Sequence, residues 1–195
     1  MFSLAFENQV FGGELDTQRV LWSGIVDRVV TLLGSANGRW VDVGCGNGAL
    51  VFTAAEYGFD AEGIDLRPIA VDRLKHIGIA ASVHDAMTFD YAGASVVSLA
   101  DVLEHIPYPA TLLSRVRSQM NDDGALFVSM PNMDCITWRY LDAVKLNHYW
   151  TELEHHHNFT RERLARLLDD CGFEPAGYSP SSRYNCCMNM WAIAK

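Results

Sequence analysis

Gly44, Gly46 and Gly48 stand at alternate positions in VDVGCGNGAL, residues 41–50, between a β-rich run and a helical one. Glycines tolerate φ > 0 and let backbone approach a ligand closely. The helix that follows offers unpaired N–H groups to an anionic group. Gly44-Cys45-Gly46-Asn47-Gly48-Ala49 also satisfies the G-x-G-x-x-G/A form of a dinucleotide-binding turn. Asp42 precedes the loop, where it would repel a pyrophosphate. A ligand carrying positive charge would instead be favoured by that carboxylate. Asp42 can equally serve the turn itself by accepting its backbone N–H groups.

Other candidate residues follow later β-rich runs. Asp65, with Leu66 beside it, ends GIDL about twenty residues past Gly44. An acid at that position can accept both hydroxyls of a ribose. Asp85 ends a third run, followed by Ala86 and Met87. There a carboxylate can take the exocyclic amino group of adenine, the Ala86 N–H can reach a ring nitrogen, and Met87 can pack on the ring. Ala100 and Asp101 end a fourth run, with Glu104 and His105 directly after. An acid-x-x-acid-His run suits a metal cluster, an acid/base pair or a hydrogen-bonded helix start. His155-His156-His157 carries the same ambiguity between metal ligand, acid/base group and polar loop.

The elements that must position these residues alternate. Val20, Leu21, Ile25, Val29, Leu32 and Leu33 predict a helix over 14–34 that stops at Gly34. Strands are expected at 39–44, 61–66, 79–85, 94–101 and 125–131. Helices are expected at 47–57, from Pro68 to His76, after Pro107 and Pro109, and at 160–171. Residues 173–179 and 186–194 read as two closing strands, an antiparallel hairpin being one arrangement. Such alternation builds a parallel sheet with helices on both faces. Ligands of these sheets lie beyond the carboxyl ends of the strands, the ends at which Asp65, Asp85 and Asp101 stand.

The 195 residues suit one domain, 1–195, with a helical cap at 1–35 and an insertion at 132–158. Phe2, Phe6 and Phe11 of the cap and Trp138, Tyr140, Tyr149 and Trp150 of the insertion are expected to wall an acceptor pocket, or else simply to cover the core. The net charge of −9 and scattered basic residues argue against nucleic acid as partner. No membrane span or signal peptide is legible, and the five cysteines read as reduced thiols, so a cytoplasmic location is expected. The adjacent Cys186 and Cys187 read as a strand pair facing opposite sides. Monomer and homodimer both remain open.

Taken together, VDVGCGNG, Asp65, His84-Asp85-Ala86 and ADVLEHI resemble the class I S-adenosylmethionine (SAM)-dependent methyltransferases. The likeness is to their small-molecule, ubiquinone-biosynthesis-like branch. Glu154-His155, Asn158-Phe159-Thr160 and ARLLDDCGF are similar to that branch's closing stretch, so the resemblance spans about residues 36–178. It implies an α/β, Rossmann-like, mostly parallel seven-stranded sheet with an antiparallel closing strand. It implies SAM as cofactor, held by Asp42, Gly44, Cys45, Gly46, Asn47, Gly48, Asp65, Leu66, Asp85, Ala86, Met87, Ala100 and Asp101. The activity implied is in-line methyl transfer to oxygen or nitrogen of a small-molecule acceptor, with His105 or His155 as base. Some quinone-pathway relatives are thought to hold a divalent metal at the motif of Asp101, Glu104 and His105; Asp101 here replaces a longer Glu, and no metal is expected. Three rival readings are an NAD(P)-dependent oxidoreductase, a non-catalytic SAM-binding module and a metal-dependent hydrolase at the histidines. Asp42, Asp85 and the lack of a Tyr-x-x-x-Lys pair speak against the first.

Overall fold

A computed structural model describes the backbone of residues 4–182 and 186–195, and side chains from residue 19 onward within that range. The chain runs α1 (Leu4–Leu33), β1 (Arg39–Val43), α2 (Ala49–Tyr57), β2 (Asp60–Asp65), α3 (Pro68–His76), β3 (Ala80–Val83) and β4 (Ala94–Ala100). It continues with α4 (Pro109–Gln119), β5 (Ala125–Pro131), α5 (Ile136–Ala143), α6 (Arg161–Asp170), β6 (Phe173–Pro180) and β7 (Cys187–Ala194). Short 3-10 turns occupy Leu103–His105 and His148–Thr151.

The strands form one seven-stranded sheet in the order β3-β2-β1-β4-β5-β7-β6. β1 lies parallel to both β2 and β4, which makes it the place where the strand order reverses. β7 enters between β5 and β6 and is antiparallel to both. A short return from β6 permits only that direction, since a parallel neighbour needs a long crossover. The expected fold class is therefore borne out.

Each sheet face has its own core. Val41, Val43, Leu99 and Leu126 meet Leu112 and Val116 of α4 and Leu164 and Leu168 of α6. Trp40, Val96 and Phe127 point the other way, toward Trp22, Ile25, Val26 and Val29 of α1 and Leu50 and Val51 of α2. Burying each such aliphatic side chain stabilises the fold by roughly 1.5–3 kcal/mol. β4 and β5 are closed in by neighbours on both edges and by helices on both faces, and their runs ASVVSLA and ALFVSMP are apolar almost throughout.

Two expectations need correction. α1 begins ten residues before the expected start, at Leu4 instead of 14. Its inward stripe is Trp22, Ile25, Val26 and Val29, while Val20 is 78% exposed. Both stripes fit helical spacing; which one turns inward is set by contact with α2 and β5, which one helix read alone does not contain. No helix among the described residues is long and apolar enough to cross a membrane.

Candidate active site

The carboxyl ends of β1, β2 and β4 and the turn after β3 surround a cavity of about 710 Å³. Gly44, Asp65, Leu66, Asp85, Ala86 and Asp101 line it, with Arg67, His84 and His105. The sheet places each of them: successive parallel strands end at the same level, so the first residues beyond them converge.

The glycine loop owes its shape to close packing as well as to its dihedrals. Gly48 caps α2 with φ 78°, and a Cβ there would lie 2.2 Å from Leu74 Cδ2. Gly44 has φ 66°, and its Cβ would meet Val102 Cγ2 at 2.6 Å. Cys45 turns inward to the core, where burial pushes its thiol well above the usual range, with Asp42 and Asp65 adding to the shift. Its N–H donates to the Ile64 carbonyl. Asn47 Oδ1 accepts the Ala49 N–H at 3.1 Å, which helps start α2.

Asp65 is 5% exposed and heavily bonded. Its Oδ1 accepts from the Arg67 N–H and Nε, both at 2.9 Å, and its Oδ2 from Arg67 Nη2 at 2.9 Å and the Gly46 N–H at 3.0 Å. Burial alone would raise this carboxyl, but the donors on Arg67 and Gly46 outweigh it and hold it below the usual carboxylate range. Asp85 accepts the Met87 N–H at 2.8 Å, and the Ala86 carbonyl accepts the Tyr91 hydroxyl at 2.9 Å.

Seven expected cofactor contacts are not among the lining residues of this cavity: Gly46, Asn47 and Gly48 in the loop, and Asp42, Cys45, Met87 and Ala100. Asp42 is buried and accepts Ser98 Oγ at 2.6 Å, and Ser98 accepts Trp40 Nε1 at 2.8 Å. Met87 packs against the core on the α4 side, Ala100 packs against the opposite core, and Cys45 faces Gly63.

A second cavity, about 270 Å³, lies beside the first. Asp101, Glu104, His105, His148, Tyr149 and His155 are among its lining residues. Asp101 and His105 line both cavities. Asp101 holds φ 56°, an uncommon setting for a non-glycine residue, and its N–H is tied to the Ser129 carbonyl at 2.8 Å. The His105 and His155 rings meet edge to face, with centroids 4.7 Å apart. His105 Nδ1 lies 3.1 Å from the Glu154 carbonyl oxygen. A carbonyl only accepts, so Nδ1 carries the hydrogen and Nε2 is the basic nitrogen. Burial, reinforced by the His105 charge, pushes His155 below its ordinary value, with Glu152 and Glu154 opposing. The N–H groups of His156 and His157 both donate to the Glu104 carbonyl, fastening the histidine run to the turn after β4.

One donor atom each from Glu104, His105 and His155 lie within 4.8 Å of one another. A carboxylate with two imidazoles is a set that suits a divalent first-row metal. Asp101, the residue on which the expectation of no metal turned, is not one of the three.

Among the described residues, the anticipated aromatic wall is largely absent from the cavity. Trp138 is buried and stacks on Tyr149 at 4.9 Å, and the Trp150 ring edge closes over it at 5.4 Å. Tyr140 points to solvent, and Tyr149 is the member of the set that reaches the cavity. The rings pack residues 138, 149 and 150 of the insertion on one another. Phe2 and the side chains of Phe6 and Phe11 lie outside the described residues.

A family model described as a methyltransferase domain matches residues 16–176. The chain belongs to the methyltransferase-domain family. It is 26% identical over 190 residues to a ubiquinone biosynthesis O-methyltransferase of Aliivibrio fischeri, covering 86% of this chain and 79% of that one. A relative of the same description from Sodalis glossinidius is 30% identical over 123 residues, covering 58% of this chain and 49% of that one. The match thus spans about half the length of some relatives. Magnesium protoporphyrin IX methyltransferase of Synechocystis, solved with bound S-adenosylhomocysteine (SAH), superposes with a TM-score of 0.70 at 20% identity, over 90% of this chain and 84% of that one. The 1,6-didemethyltoxoflavin-N1-methyltransferase of Burkholderia thailandensis does so with a TM-score of 0.70 at 19% identity, over 94% and 82%. Arg67 and His148 are the lining residues whose position at the cavities is least evident from sequence. Arg67 stands two places from Asp65, and that spacing was the available signal.

Proposed function

We propose that the larger cavity takes SAM and the smaller one a small-molecule acceptor, whose oxygen or nitrogen receives the methyl group. The observation that carries this reading is that Asp101 and His105 line both cavities, so one ligand in each would meet there. Asp65 takes the ribose hydroxyls, Asp85 and Ala86 the adenine edge, and Gly44 with the loop the methionine part. Asp42, Cys45, Asn47, Gly46, Gly48, Met87 and Ala100 act from behind, by fixing the loop and the strand ends.

The acceptor atom attacks the sulfonium methyl in line, the C–S bond breaks as the new bond forms, and SAH leaves. The sulfonium is a good leaving arrangement, so positioning in a closed space does most of the work. Where the acceptor must lose a proton, His155 takes it, since burial lowers its affinity for a proton and so favours the neutral imidazole, and His105 is the alternate base. Relatives named for O- and N-methylation bracket the atom. The insertion at 132–158 completes the acceptor side through His148, Tyr149, Glu152 and His155.

A second reading has a specific observation behind it. Glu104, His105 and His155 would hold a divalent ion, which would polarise and orient an acceptor hydroxyl. A screen of labelled SAM against phenols, quinols, carboxylates and amines tests the main reading. No transfer to any class by folded protein overturns it. Retention of activity after chelation favours the histidine base, and its loss with recovery on added metal favours the ion.

A further inference from the structure

The carboxylate of Asp65 has about four directions from which it can accept a hydrogen bond. All four are used. Two are taken by backbone, the Gly46 and Arg67 N–H groups, and two by the Arg67 side chain through Nε and Nη2. The backbone donors belong to the loop and the strand end and stay with any ligand. The guanidinium is different. It forms a bidentate fork on both oxygens, which is the hydrogen-bonding pattern that a ribose diol would need. It also reaches over the glycine loop, with Nη2 3.6 Å from where a Gly46 Cβ would stand. The Arg67 side chain is 57% exposed against 5% for Asp65, so it has solvent to move into.

We infer that Arg67 is a built-in competitor for the ribose seat, whose fork on Asp65 must open for the cofactor to bind. The inference rests on Asp65 being the ribose acid. Arg67 therefore sets cofactor affinity from within: only the fraction of molecules with the fork released is competent to bind, and the apparent Kd rises by that factor. A half-exposed ion pair is modest in strength and is weakened by salt. It tunes affinity without blocking binding. Salt should then act in an unusual direction, tightening a ligand such as SAH by loosening its rival.

The test is calorimetric titration of SAH into wild type, Arg67→Ala, Arg67→Lys and Asp65→Asn. Arg67→Ala should tighten SAH about fivefold. Arg67→Lys should fall between it and wild type, because an ammonium cannot fork across both oxygens. Raising NaCl from about 0.05 to about 0.5 M should tighten SAH for wild type and leave Arg67→Ala flat. Unchanged or weaker binding by Arg67→Ala, with Asp65→Asn still losing SAH, overturns the competitor and leaves the ribose reading standing. If Asp65→Asn binds SAH as wild type does, the ribose reading itself falls and takes the competitor with it.

Discussion

His155 sits against His105 in a pocket whose burial pushes its imidazole below the ordinary value, which favours the neutral form that a proton-accepting step requires. Replacing it by Ala should lower kcat by about 10²–10³ while SAH affinity stays unchanged. The pH profile gives a sharper check. Its acid limb should inflect below the free imidazole value of 6.5, because burial first and the His105 charge second depress the group. Below that inflection His155 is charged and cannot accept the proton, so the rate falls with acid. His155→Ala should lose the limb altogether. At this scale the sequence carried residue types and order well. Gly44, Asp65, Asp85 and Asp101 could be placed at one cavity because each follows a strand. It did not carry orientation. Asp42 is one strand residue before the loop, yet its carboxylate is spent on Ser98, a partner 56 positions away.

At the scale of elements, α3 was legible at both ends, Pro68 opening it and His76 closing it. Proline and the apolar spacing are local signals. The face of α1 and the fate of the insertion rings were not, since both depend on what lies opposite. The contact between Gly48 and Leu74 is the clearest joint between elements. Gly48→Ala puts a methyl against Leu74 and an L side chain at positive φ, and should destabilise by about 2–3 kcal/mol. Thermal or urea unfolding measures this. Leu74→Ala in the same chain should recover part of the packing loss, and never the dihedral cost. In the insertion, Trp138→Ala removes the ring that Tyr149 and Trp150 pack upon. A buried Trp to Ala change costs about 3–5 kcal/mol. The loss should appear as an early, local transition in proteolysis of the insertion, and as weakened acceptor turnover, with SAH affinity kept.

For the whole molecule, the cofactor cavity is shared among β1, β2, β4 and the turn after β3. Binding there should stabilise the sheet as a unit. SAH at 100 times its Kd should add about 2.7 kcal/mol. For a chain of this size that is a rise of roughly 5–11 °C in Tm. Scanning calorimetry with and without SAH decides it. No shift in protein that unfolds cooperatively would remove the assignment of that cavity. The reversal of strand order at β1 was legible only as a rule about alternating folds. The volumes of the two cavities, and the fact that they touch, were not legible, because neither is a property of any local stretch of chain.

The hydrogen on His105 Nδ1 is anchored by a carbonyl of residue 154, which belongs to the insertion and not to the sheet. The loop that shelters the acceptor therefore also writes the tautomer of the neighbouring imidazole. One segment thus both encloses the acceptor side and sets which nitrogen of His105, the alternate base, stays bare.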